Sequence, residues 1–144
     1  MIALDTNILV RMLVEDDPDQ AEKVQKTIRW AEKQAVKLLV LSEVTIETVW
    51  VLESVYQCTR EEIVRFLKKI IDTDTFVFPD FSVIMNAIDL YKTKGDFADF
   101  IIVGQSRVQQ AEQMLSFDKK LQKRFPEYVV ETPSGFNDTD ESNP

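Results

Sequence analysis

Short apolar runs alternate along this chain with stretches of helical spacing. The runs Ile2–Leu4, Leu38–Leu41, Phe76–Phe78, Gln113–Phe117 and Tyr128–Val130 read as strands. After the first of them come Asp5, Thr6 and Asn7, and apolar spacing resumes at Ile8, Leu9 and Leu13. Asp17 stands before Pro18, which suits a first helical position, and Ala21, Val24, Ile28, Ala31 and Ala35 follow at spacings of three and four. Ser42 is placed to cap a helix from Glu43 to Tyr56. Thr59 and Glu62 have capping-box spacing ahead of Ile63, Phe66, Leu67 and Ile70. Asp80 or Ser82 opens a further helix carrying Ile84, Ala87, Ile88 and Tyr91, and Gly95 precedes a largely apolar helix from Asp96 to Gln110. Strands separated by helices, with only 3 glycines and few hairpin signals, predict an α/β fold with a parallel sheet covered on both faces.

The length of 144 residues suits one domain, expected over residues 1–133. Residues 134–144 are small and polar without periodicity and read as a disordered tail. No run approaches the apolar length that a membrane span needs, and no signal-peptide pattern opens the chain. One cysteine, Cys58, cannot form an internal disulfide, which fits a reducing cytoplasm. With 0 histidines, Ser-His, Cys-His and two-histidine chemistries are excluded, and so is a closed Cys/His zinc site. Any metal must be hard and oxygen-ligated. The net charge of −8 argues against broad, non-specific nucleic-acid binding, although a bound cation would reverse the sign locally.

Most acids fall on amphipathic helices as solvated faces, but a few stand at special places. Asp5 and Asp118 each end a strand candidate. Glu43 and Glu47 lie one helical turn apart, with Trp50 on the same side, and Asp96 and Asp99 share a stripe at the start of the most apolar helix. Most have a plain structural explanation: Asp5 with Thr6 and Asn7 as turn and cap residues where a strand stops, Asp96 with Asp99 as a cap and first-turn acid, Glu43 as a first-turn acid, Asp118 as a cap for the short helix after it. Glu47, past the first turn and amid apolar residues, is less easily explained. In a parallel sheet the carboxyl ends of strands share one edge, so Asp5, Glu47, Asp99 and Asp118 are expected to converge on one cleft. Two carboxylates about 5 Å apart repel by about 3 kcal/mol at an effective dielectric near 20, so such a gathering calls for a cation or a proton.

The ordered set "MIALDTNILVRMLVEDDP", "LSEVTIETVWVLESVY" and "GDFADFIIVGQSRVQQAEQMLSFDKKL" resembles the PIN-domain ribonucleases of the VapC toxin type over nearly the whole chain. The resemblance implies a three-layer α/β/α fold with a five-stranded parallel sheet in the order 3-2-1-4-5. It carries the family's acids over as Asp5, Glu47, Asp99 and Asp118, with Asp96 as an accessory acid. Asp5, Asp99, Asp118 and Asp96 would then be the ligands of Mg²⁺, with Mn²⁺ as a substitute, and Thr6 or Asn7 would orient Asp5. Val103-Gly104 and Ser116 depart from the family's usual residues without touching these acids. The implied activity is endonucleolytic RNA cleavage by a homodimer silenced by a small antitoxin.

Arg11, Lys94, Lys119 and Lys120 are candidates for phosphate contacts, with Lys92, Lys123 and Arg124 behind them; each also fits a solvated face. Trp30, Trp50, Tyr56 and Phe66 could serve the core or a partner surface. The alternatives are a non-catalytic or RNA-processing PIN-fold protein, or a receiver-like Mg²⁺-binding module. A haloacid-dehalogenase-type phosphatase would want an acid where Asn7 stands, and a receiver would want a phosphorylatable acid ending the third strand, where only Asp80 follows a proline.

Overall fold

A computed structural model of the chain describes residues 1–137 and 139. Residues 138 and 140–144, part of the expected disordered tail, lie outside the described residues. The chain forms two compact units, Met1–Ile101 and the residues from Ile102 onward. The first unit holds β1 (Ile2–Ala3), α1 (Thr6–Leu13), α2 (Pro18–Gln34), β2 (Leu38–Leu39), α3 (Ser42–Ser54), α4 (Arg60–Ile71), β3 (Phe76–Val77) and α5 (Phe81–Tyr91). Helix α6 (Phe97–Val108) begins in the first unit and ends in the second, which adds β4 (Met114–Leu115), α7 (Lys119–Arg124) and β5 (Val129–Val130).

Strands and helices alternate and every ladder is parallel, as the apolar pattern predicts. Ile2 pairs with Leu38 and Leu38 with Phe76, giving the order β1-β2-β3. The single five-stranded sheet implied by the resemblance is corrected to three strands plus two. Its 3-2-1 part stands, whereas β4 pairs with β5 alone, Met114 opposite Val129. A ladder exists only where N–H and C=O meet at hydrogen-bond distance. Among the described residues β1 meets that condition with β2 alone.

In the first unit, Leu38 and Val40 are fully enclosed around the central strand, and α3, α4 and α5 bury Val49 and Leu52, Ile63 and Leu67, and Ile84 and Ile88. Thr45 and Thr48 are buried too, and their hydroxyls donate to the carbonyls of Leu41 and Val44 at 3.3 and 2.7 Å, so neither polar group is stranded. The second unit packs Val103, Leu121, Tyr128 and Val129 with Met114 and Phe125. The Arg107 guanidinium lies 4.5 Å from the Tyr128 ring centroid, and the Tyr128 hydroxyl donates to the Ala111 carbonyl at 3.0 Å. In the described part of the tail, Ser134 exchanges two hydrogen bonds with the Gln113 side chain, at 2.6 and 2.9 Å.

Several helix starts follow local chemistry, but two do not: α5 begins after Asp80, which adopts φ 55° and makes no side-chain cap bond, and α3 departs from its expected cap. The Asp17 carboxylate accepts from the Gln20 N–H with Pro18 at the first helical position, and Thr59 and Glu62 form a reciprocal capping box. Ser42, expected to cap α3, is instead its first helical residue and is buried; Leu41 takes the cap position with no side-chain bond. The reason is the sheet. The Val40 N–H still bonds the Val77 carbonyl, so the extended chain reaches Leu41 before it can turn. At its other end α2 stops at Ala35, which adopts φ 53°.

The Glu62 carboxylate accepts the Thr59 N–H at 2.9 Å, and this bond holds its pKa below the ordinary carboxylate range. The folded chain therefore releases that proton more readily than the unfolded chain, and the stabilisation present at neutral pH fades as the pH falls below 4.5. Glu62→Gln is expected to flatten this acid limb, read as urea midpoints at neutral pH and at pH near 4. Equal acid sensitivity of both proteins would contradict the assignment.

Candidate active site

Parallel pairing sends the carboxyl ends of β1, β2 and β3 to a common edge, and the chain leaves each end toward a helix. Asp5 stands at the first of these exits, as the N-cap of α1. Its Oδ1 accepts the Thr6 N–H at 2.8 Å, so the support comes from the Thr6 backbone and not from its hydroxyl. The Thr6 hydroxyl oxygen is buried and without a hydrogen-bond partner. Asn7 is exposed on the first turn of α1. The apolar spacing at Ile8, Leu9 and Leu13 is that of this helix, with Leu9 buried completely.

The first unit also brings Glu47 and Asp96 together. Both line a cleft of about 320 Å³ with Ile46, Trp50, Glu53 and Phe97. Trp50 is 61% exposed there. Glu53 was not foreseen, although Glu47, Trp50 and Glu53 recur at helical spacing. Three carboxylates in one cleft produce a negative potential suited to a cation. Asp96 also caps α6 through Oδ1, which accepts the Ala98 N–H at 2.8 Å, and Asp99 lies in the first turn three residues on.

A network of long sequence range fixes the turn that delivers these acids. Arg60 Nη1 donates to the carbonyls of Tyr91 and Gly95, both at 2.9 Å, and its guanidinium lies 4.1 Å from the Tyr91 ring centroid. The Tyr91 hydroxyl donates to Glu53 at 2.9 Å, and its ring meets Phe97 edge-on with centroids 5.6 Å apart. Burial and the neighbouring Glu53 carboxylate push the Tyr91 pKa up, so the phenol keeps the proton it donates. Gly95 adopts φ +103°, and a Cβ there would collide with the Phe100 ring.

In the second unit Asp118 follows β4 and caps α7: its Oδ1 accepts the N–H groups of Lys120 and Leu121 at 2.9 and 3.2 Å. The Ser116 hydroxyl accepts the Asp118 N–H at 3.1 Å. The capping explanation thus holds for Asp5, Asp96 and Asp118, yet in each the cap bond falls on Oδ1. A second oxygen remains to take a ligand.

Of the basic candidates, Arg11 is engaged: it ion-pairs with Asp16 at 2.9 Å and donates to Gln20 and Tyr56. The Tyr56 hydrogen bond, then the Asp16 charge, raise its pKa. Lys94, Lys119 and Lys120 are exposed, Lys119 beside Glu131 at 3.2 Å and Lys92 beside Asp89 at 3.2 Å. Phe66 is core, while Trp30 and Trp50 are exposed.

The donor chemistry fits a hard divalent cation: carboxylate oxygens at helix starts, with an unpartnered buried hydroxyl at Thr6 beside Asp5. Magnesium keeps several waters and takes one or two carboxylates, so it needs no closed protein cage. Among the described residues no three acidic side chains form such a ready-made cage.

These acids stand in a chain whose sequence matches a known family. It belongs to the PIN domain family, whose model matches residues 2–127. It is similar to a VapC ribonuclease of Aquifex aeolicus (strain VF5), at 28% identity over 124 residues, covering 85% of this chain and 91% of that protein. No solved structure gives a significant match. No helix among the described residues is long and apolar enough to cross a membrane.

Arg60→Ala removes two bonds to carbonyls and a stacked cation. It is expected to cost about 1.5–3 kcal/mol, read as a lower urea midpoint, with Arg60→Lys recovering only part because an ammonium lacks the planar fork. An unchanged midpoint would show that the turn holds itself.

Proposed function

We propose that this chain is a divalent-metal-dependent endoribonuclease acting as the toxin of a toxin–antitoxin pair. One observation carries the reading: in a PIN domain protein similar to a VapC ribonuclease, Asp5, Asp96 and Asp118 each stand at a helix start with a cap bond fixing one carboxylate oxygen.

In this proposal Asp5, Asp99 and Asp118, with Asp96, are the cation ligands, and Glu47 completes the set directly or through water. A bound Mg²⁺ or Mn²⁺ supplies charge stabilisation to the phosphodiester and makes an attacking water more acidic. The residues supply position. The Thr6 N–H fixes the Asp5 rotamer, the Lys120 and Leu121 N–H groups fix Asp118, and the Arg60–Tyr91–Glu53 network fixes the turn before Asp96. Asn7 is a further orienting group. Lys94, Lys119 and Lys120 are the phosphate contacts, whereas Arg11 braces the first unit through Asp16 and Tyr56. The partners are RNA and a small antitoxin. A bidentate arginine on the antitoxin would suit carboxylates of this kind. The working form is a cytoplasmic homodimer.

The chain is expected to cut total RNA with Mg²⁺ or Mn²⁺ and to stop when EDTA is added. Asp5→Asn and Asp99→Asn should each slow cleavage by roughly a hundredfold or more, a loss of a few kcal/mol of charge stabilisation, with the circular dichroism spectrum unchanged. Mn²⁺ binding followed by electron paramagnetic resonance gives a second readout and should weaken in both variants. Full cleavage by both would refute the ligand assignment. Metal binding without cleavage would favour a PIN fold retained for binding.

A further inference from the structure

Phe117 is the most exposed large apolar side chain described, at 80% of its area. It sits between Ser116 and Asp118, whose mutual hydrogen bond and caps to α7 hold this stretch of backbone in place. A phenyl ring left in water on a fixed backbone has no part in the second unit's core, which is built from Val103, Leu121, Tyr128 and Val129. Immediately after it, α7 carries Lys119, Lys120, Lys123 and Arg124 in six positions with no acid among them, in a chain of net charge −8. A cleft of about 410 Å³ beside them is lined by Lys119, Gln122, Lys123 and Val129, among others. The Lys119–Glu131 pair is exposed on both sides, so its attraction is weak and a phosphate can replace the carboxylate.

We propose, resting on the ribonuclease reading above, that Phe117 and the lysines of α7 form a seat for an unpaired RNA strand. The ring stacks on one base while Lys119, Lys120 and Lys123 take the neighbouring phosphates. Aromatic stacking accepts any base, since each presents a π-face, and the lysines supply attraction to the RNA backbone. Duplex RNA can meet the lysines through its phosphates but offers the ring no free base face. Its base faces are stacked internally, and its deep groove is closed to side chains.

The test uses the full chain with EDTA present, so that nothing is cut, and follows the anisotropy of a labelled oligouridine and of a labelled RNA duplex. The wild type is expected to bind oligouridine more tightly than duplex. Phe117→Ala should weaken oligouridine binding roughly tenfold, Phe117→Trp should retain it, and duplex binding should be indifferent to both. Lys120→Gln should make the salt dependence shallower. Equal binding by wild type and Phe117→Ala, equal affinity for the two RNAs, or no binding of either would overturn the seat. Cleavage assays on the same proteins separate the two ideas. Cutting by the wild type with Phe117-independent binding sinks the seat alone, and Phe117-dependent binding with no cutting under any metal sinks the hydrolysis.

Discussion

A strand that ends beside a parallel neighbour must hand its chain over to a helix at the same edge as that neighbour does, and a helix start exposes N–H groups that need acceptors. Both demands meet in this molecule at single residues. Asp5 leaves β1 and caps α1, and Asp118 leaves β4 and caps α7. The cap fixes the carboxylate rotamer through one oxygen. Structure and proposed chemistry therefore do not compete for these residues. A side chain held still for the helix is also held still for a cation.

How much of this was legible depended on range. The caps at Asp17, Thr59–Glu62 and Asp96 depend on atoms within four residues, and the sequence pattern alone located them. The strand runs were legible as apolar segments, although each contributes just two ladder residues. Ser42 misled because the extended run continued to Leu41, a fact decided by β3 and not by its own neighbours. The sheet division was invisible for the same reason: strand composition says that Met114 and Leu115 pair, not with what.

The least legible part is the support behind Asp96. Arg60 reaches carbonyls 31 and 35 residues away, and Tyr91 meets Glu53 across 38. No spacing rule points to such pairs. Spacing puts Arg60 next to the Thr59 cap, Tyr91 on the apolar stripe of α5 and Glu53 on α3, with nothing to join the three. Their roles follow from packing. Tyr91 is enclosed, so its hydroxyl must find an acceptor, and Glu53 at the cleft edge is the acceptor within reach.

An acidic protein proposed to act on a polyanion must separate its charges, and this one does so by element. The cleft of the first unit concentrates Glu47, Glu53 and Asp96, whereas α7 in the second unit is basic at four of six positions. The first pattern draws cations and repels phosphate, while the second does the reverse. A net charge of −8 therefore says little about what the basic helix can hold.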